Sequence, residues 1–246
     1  ASAGRGRGNQ FLSDLARCDL LIQVVDISGM TDLEGVPGHE PSDQQPEDEM
    51  RFLWDEIDLW ILSIIQDQWK RTSRRAQGKG RQGLEEALLD RLSGLGASRR
   101  AVHTALENLD SDIDMTSPWT WDDEILLTLS STIRNEVFPI LVAANKSDIA
   151  DPERVISLES SLAGTGIMVV ATSADVHLTL QRVEASGLAT QDPETGQLVM
   201  ADTSSLDQRR RLALEELDKR LAKIGGTGLD RLLKIAVFEI LDRIVC

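Results

Sequence analysis

Basic residues are scarce in this chain: 26 Lys and Arg stand against 41 Asp and Glu over 246 residues, a formal net charge of −15. That balance argues against a general binder of DNA or other nucleic acid, because phosphate contacts need a basic face. Lys is the rarer of the two basic residues. An acidic, Lys-poor surface suits a protein kept soluble in high internal salt, where screening weakens self-repulsion, and this predicts a halophilic source. Cysteine is nearly missing: Cys18 and Cys246 lie far apart and make no metal-ligand spacing, which predicts a reducing, cytoplasmic setting. No apolar run reaches the ~18 residues that span a bilayer, so no membrane association is expected. No signal peptide is visible, and no internal repeat. No Gly-x-Gly-x-x-Gly follows a strand, which makes a dehydrogenase a distant reading.

What is present is an alternation of apolar runs and amphipathic stretches. Hydrophobic residues make up 41% of the chain, enough for a sizeable core. "DLLIQVVDIS" reads as a continuous apolar strand of a parallel, doubly covered sheet. Residues 139–144 and 166–173 predict two more strands. Residues 9–17 have helical spacing. Residues 29–49, rich in Gly, Pro and acid, predict an exposed loop. Residues 47–69 predict a long amphipathic helix with Trp60 in its packed face. Residues 71–83, "RTSRRAQGKGRQG", predict a basic, flexible linker. Helices are expected near 84–93, 98–109 and 119–135, the last with Asp122, Asp123 and Glu124 at its start. Further helices are expected over 152–163 with Pro152 inside its start, 175–186, 206–223 and 228–245. Residues 188–205 predict a polar loop. Strands alternating with helices indicate an α/β fold with parallel strands. The helical stretch between the first two strands is too long for a crossover. The expected division is a helical insertion over 46–137 within a domain built from 1–45 and 138–246.

Chemistry concentrates where the second strand ends, in "ILVAANKSD". Ligands of an open parallel sheet sit beyond the carboxyl ends of its strands. Asn145, Lys146 and Asp148 form the pattern Asn-Lys-x-Asp. A guanine base presents two neighbouring donors, N1–H and the 2-amino group, and an ionised Asp148 has two acceptor oxygens at matching spacing. Adenine offers no such pair on that edge. The Lys146 stem can lie along a ring while its ammonium stays solvated, and Asn145 can tie neighbouring loops together. A second element follows at the end of the third strand, "ATSAD". It resembles the Ser-Ala strand end of nucleotide-binding GTPases, here Ser173 and Ala174, and that resemblance implies a backbone N–H that meets the guanine carbonyl oxygen and disfavours the adenine 6-amino group. Read structurally instead, Thr172 and Ser173 cap the helix that begins near Asp175.

Taken together, "GRGRGNQFLSDLARCDLLIQVVDISG", "DEMRFLWDEIDLWI", "LLDRLSGLG", "ANKSD", "TSA" and "GGTGLDRLLKIAVFEILDRIVC" occur in the order found in a known family. The chain resembles the Obg-like translation-factor GTPases, in particular their YchF-related archaeal branch, over nearly its whole length. The resemblance implies a partial Ras-like P-loop GTPase fold, with strands 4–6 of that fold and their helices, plus the inserted helical subdomain. It implies GTP as the ligand, with Asn145, Lys146, Asp148, Ser173 and Ala174 on the base, and a cytoplasmic protein whose full-length form reaches the ribosome or its RNA. No Gly-x-x-x-x-Gly-Lys-Ser/Thr occurs, and "GKGRQG" has neither the spacing nor the hydroxyl. The chain therefore reads as an internal piece, with the phosphate loop and Mg²⁺ site before Ala1 and a TGS domain after Cys246. No catalytic residue and no metal ligand is assigned within it. By the same reading the isolated piece is expected to fold or dissolve poorly, since missing strands open a sheet edge.

The bacterial branch, which binds ATP, has an altered Asn-Lys-x-Asp motif, so the intact motif here favours GTP; an ATPase, or a helical interaction scaffold that binds no nucleotide, is the alternative. The "GRGRG" run at 4–8 is a mobile switch segment by resemblance or a frayed end. His39, His103 and His177 form no cluster. Residues 208–220 read as a solvated helix face.

Overall fold

The computed structural model describes residues 14–15, 17–31, 36, 38, 45–109, 113–192, 196–201 and 206–242. The "GRGRG" run, His39, Cys246, most of the 9–17 stretch and most of the expected loop over 29–49 lie outside these residues. The described chain packs into two units. One holds the described residues up to Leu21 together with Met50–Ile140. The other holds those of Ile22–Glu49 and Leu141–Cys246.

The first unit is helical. Helix α1 (Pro46–Gln66) opens with Glu47, Asp48 and Glu49, which complement the positive end of its dipole. Further along, Ile57, Ile61 and Ile65 recur at helical spacing and are fully buried. Burying each such side chain contributes roughly 1.5–3 kcal/mol. Gln68 turns into the left-handed region at φ 54° and starts α2 (Trp69–Ala76) on a new axis. A short tight turn over Gln77–Lys79 leads into α3 (Gly80–Leu92). The expected flexible linker is therefore helix. Its Arg, Lys and Gln residues are good helix formers, and Ser73, Ala76, Leu84, Leu88 and Leu92 supply a buried stripe. Gly83 marks a close approach: a Cβ there would run into the Ala76 carbonyl oxygen. Arg91 ties the three helices, donating to Ile64 O at 3.1 Å and Thr72 Oγ1 at 3.0 Å.

Ser98 caps α4 (Arg99–Glu107) by accepting from Ala101 N at 3.1 Å, and Asp122 caps α5 (Asp123–Val137) by accepting from Ile125 N at 3.0 Å. Trp60 is only half-buried. The aromatic core is instead Trp69 stacked on Trp121, centroids 5.7 Å apart. Their indole N–H groups donate to Pro118 O and Asp114 O. Arg134 lies 4.9 Å over the Trp54 ring and pairs with the buried Asp58 at 2.7 Å. Burial pushes the Asp58 carboxyl above its usual range despite Arg134, which pulls it down.

The second unit carries the sheet, in order β1 (Leu21–Asp26), β2 (Ile140–Asn145), β3 (Met168–Ala171). β2 and β3 are parallel, pairing Leu141 with Met168 through Ala144 with Ala171. The bonds Leu21 N to Pro139 O and Ile27 N to Asn145 O advance in the same direction along both chains, so β1 is parallel too. β2 is buried on both faces, as a central strand must be. β1 is not: Ile22 and Val24 are 40% and 58% exposed while Gln23 and Val25 are buried. Its apolar run thus covers one face and leaves the other open.

Asp151 caps α6 (Pro152–Ser161), with Pro152 in the first turn, and Ser173 caps α7 (Ala174–Ala185). The stretch expected as a polar loop contains a hairpin, β4 (Ala189–Gln191) antiparallel to β5 (Leu198–Met200). Asp207 caps α8 (Gln208–Ile224), whose Leu217 and Leu221 pack with Val176 and Leu180 of α7. Gly225 closes α8 in the left-handed region. α9 (Leu229–Lys234) follows and continues over Ile235–Ile240 as a wider turn, with Leu241 N bonding back to Ala236 O. Within the described residues the expected single helix over 228–245 is therefore a short α-helix followed by a wider turn that ends at Ile240.

Candidate functional site

The carboxyl ends of β1, β2 and β3 lie side by side, and each ends in polar residues. β2 stops at Asn145, and Lys146 takes φ 63°, a left-handed conformation unusual for a side chain of its size. This reversal turns the chain so that Ile149 N and Ala150 N both bond Lys146 O at 3.1 Å. Ser147 braces the turn twice. Its hydroxyl donates to Ala144 O at 2.7 Å and its N–H to Thr172 O at 3.1 Å.

Lys146 pairs with Asp26, the last residue of β1, at 2.7 Å. Asp26 also accepts from the Ser28 N–H at 2.9 Å, the Ser28 hydroxyl at 2.6 Å and the Thr31 hydroxyl. Burial alone would push this carboxyl up, but the donors from Lys146, Ser28 and Thr31 outweigh it and hold it below its ordinary value. Neighbouring Glu49, whose carboxylate accepts from Asp26 N at 3.3 Å, is pushed up by burial.

The second strand end is joined to the first. Ala174 N donates to Asn145 Oδ1 at 3.0 Å, so the amide links the two loops, and Ala174 itself is exposed. Ser173 caps α7, accepting from Val176 N at 3.2 Å, and its own N–H donates to Thr227 O at 2.9 Å. The capping role and the proximity to Asn145 hold together. Behind this loop sits the Gly225–Gly228 turn. Gly228 has φ 77°, and a Cβ there would collide with the Ala171 carbonyl oxygen. His177 Nδ1 lies 3.2 Å from Thr227 Oγ1, which completes the buttress.

Asp148 is buried. Arg220 of α8 grips it: Nε and Nη2 lie 2.7 and 2.5 Å from Asp148 Oδ2, and Nη2 lies 2.7 Å from Asp175 Oδ2. Burial would lower the Arg220 pKa, and its hydrogen bonds to the Asp175 and Asp148 carboxylates raise it on balance. Lys223, one turn on, donates to Ala150 O at 2.7 Å. The helix face expected to be solvated is thus partly committed to this loop.

Asn145, Lys146, Asp148, Ser173 and Ala174 therefore lie on adjoining loops of one unit. Asp26, Arg220, Asp175, Thr227 and Gly228 join them without having been singled out in the sequence. For Asp26 a signal existed, a lone acid closing an apolar parallel strand. His103 lies elsewhere, in the helical unit, between Glu85 and Glu107. Among the described residues no group of three or more His, Cys, Asp or Glu is placed to hold a metal ion, and no helix is long and apolar enough to cross a membrane.

This architecture has known relatives. Residues 143–246 match the family model described as the Obg-like GTPase YGR210-like, G4 motif-containing domain. An uncharacterized GTP-binding protein of Methanocaldococcus jannaschii is 36% identical over 246 residues, all of this chain and 59% of that protein. An uncharacterized GTP-binding protein of Schizosaccharomyces pombe is 29% identical, over 99% of this chain and 59% of its own length. The crystal structure of a GTP binding protein from Pyrococcus horikoshii OT3 superposes with a TM-score of 0.68 at 30% identity, covering 94% of this chain and 60% of that one. The chain thus spans about three-fifths of the length of these relatives. The parallel sheet with its helices is a partial P-loop GTPase fold, accompanied by a helical unit.

Proposed function

We propose that this chain is the base-recognising part of an Obg-like GTPase of the YchF-related branch. Asn145, Lys146, Asp148, Ser173 and Ala174 hold a guanine nucleotide. The observation that carries the reading is the convergence of two strand-end loops: Asn145 accepts from Ala174 N, while one guanidinium spans Asp148 and Asp175. Guanine, a flat group with paired N–H donors, is the group these two loop ends have the chemistry to recognise. The relatives named as GTP-binding, and the Asn-Lys-x-Asp stretch inside the matched region, support it.

In this reading Asp148 takes guanine N1–H and the 2-amino group. Lys146, held by Asp26, lays its stem along the ring. Asn145 fixes the second loop, and the base carbonyl oxygen competes with Asn145 Oδ1 for the Ala174 N–H. The residues present fit the base end of the nucleotide. GTP hydrolysis and Mg²⁺ belong to the phosphate end, and no ligand to that metal and no phosphoryl-transfer step is ascribed to these residues. A ribosomal setting is part of the proposal. Its support is the resemblance and the run of exposed Lys70, Arg71, Arg74, Arg75, Lys79 and Arg81 on α2–α3, a local basic strip on an acidic chain.

Equilibrium binding of GDP, IDP and ADP to the intact protein tests the base reading. Inosine lacks the 2-amino group. GDP is expected to bind best, IDP at least about tenfold more weakly, and ADP weakest, because a buried carboxylate left without its donors penalises the wrong base. Equal affinity for GDP and ADP overturns it. Salt-sensitive co-sedimentation with ribosomes, weakened by reversing the α2–α3 charges, tests the setting.

A further inference from the structure

We infer that Arg220 sets the nucleotide affinity of this site, because its guanidinium covers the Asp148 carboxylate and a base enters by exchanging with it. The inference rests on the guanine reading above. Guanine's N1–C2–N2 edge is a guanidine-type N–C–N unit, and Arg220 presents a unit of the same kind to one oxygen of Asp148: Nε and Nη2 both contact Oδ2, at 2.7 and 2.5 Å. The Asp148 side chain is 1% exposed, so nothing else reaches it while Arg220 is in place.

The exchange needs no helix movement. Lys223 holds the same face of α8 to the Asp148 loop through Ala150 O, so a side-chain rotation is enough. Asp175, 71% exposed and 2.7 Å from Nη2, keeps the guanidinium charge compensated once Asp148 is given up. A base entering must then supply the donors that Arg220 withdraws, since a buried carboxylate without partners is costly. Guanine supplies two. Adenine supplies none on that edge, and cannot displace the arginine without leaving Asp148 unpaired. Arg220 therefore lowers the affinity for every nucleotide that must displace it, while Asp148 discriminates between the bases.

The test uses the intact protein and stopped-flow binding of a fluorescent GDP, with a fluorescent ADP as control, for wild type, Arg220→Gln, Arg220→Ala and Asp175→Asn. Each variant is first checked for a cooperative melt. Loss of Arg220 is expected to tighten GDP binding on the order of tenfold, mostly through faster association. Asp175→Asn is expected to weaken it several-fold, because Arg220 then has only Asp148 to pair with, and to have no effect in the Arg220→Gln background. Folded Arg220→Gln protein that binds GDP with unchanged or lower affinity, while wild type still prefers GDP to ADP, overturns the role of Arg220 and leaves the guanine reading standing. If no folded variant prefers GDP to ADP, the guanine reading itself fails. Should Arg220→Ala not fold, the opposite signs expected for Arg220→Gln and Asp175→Asn still decide.

Discussion

Asp26 collects Lys146, two Ser28 donors and the Thr31 hydroxyl on one small carboxylate. Because its folded pKa is depressed, the stability it contributes is present above its unfolded pKa and is lost as pH falls through the folded value. Asp26→Asn is expected to lower unfolding free energy by about 2 kcal/mol near neutral pH. It should also flatten the acid limb of a stability-versus-pH profile measured by chemical denaturation. Glu49 works the other way: its raised pKa makes its contribution largest below its unfolded value and smaller as pH rises through the folded one. Residues of this kind differ in how far sequence exposes them. Asn145, Lys146 and Asp148 stand together within four positions at the end of an apolar strand, so their grouping is visible in the sequence. Arg220 is 72 residues from Asp148. Its Glu and Lys neighbours at helical spacing make it look like an ordinary solvated residue, and only the packing of α8 reveals its partner.

The turn between α8 and α9 shows how a connection positions a strand end. Gly228 sits at φ 77° with its α-carbon against the Ala171 carbonyl, whereas Gly164, at φ 83°, has open space around it. Gly228→Ala is expected to cost about 3 kcal/mol or more, summing steric overlap and left-handed strain. Gly164→Ala should cost only the strain, about 1–2 kcal/mol. Thermal melts of the two variants check the difference, and equal losses would contradict the buttress. Helix starts were the most legible elements: Asp122, Pro152 and Ser173 announce α5, α6 and α7 because capping is a matter of one residue and its next turn. Gly78, Gly80 and Gly83 make the α2–α3 stretch look like a loop in sequence, while Gly83 is there for a close helix contact. The β4–β5 hairpin went unseen because three-residue strands carry almost no period-two signal. The exposed face of β1 was hidden for a different reason. An apolar run shows that a strand can be covered, not that it is.

A net charge of −15 on 246 residues makes self-repulsion a property of the chain as a whole. Raising salt from ~0.1 M to ~1 M shortens the screening length from about 10 Å to about 3 Å. The melting temperature is therefore expected to rise by several degrees over that range, and a fall would contradict the halophilic reading. The α/β class was legible from alternating apolar strands and helices. The packing within each unit was not, because it depends on pairs such as Asp58–Arg134 and Trp69–Trp121 that are far apart in sequence. All of the functional reading turns on one carboxylate recognising one base edge. The most direct measurement is nucleotide selectivity of the intact protein carrying Asp148→Asn. Asparagine accepts from N1–H and donates to a 2-carbonyl, so GDP affinity should fall at least about a hundredfold and xanthosine diphosphate affinity should rise above wild type. Unchanged GDP affinity, with no gain for the xanthine nucleotide, would contradict the account.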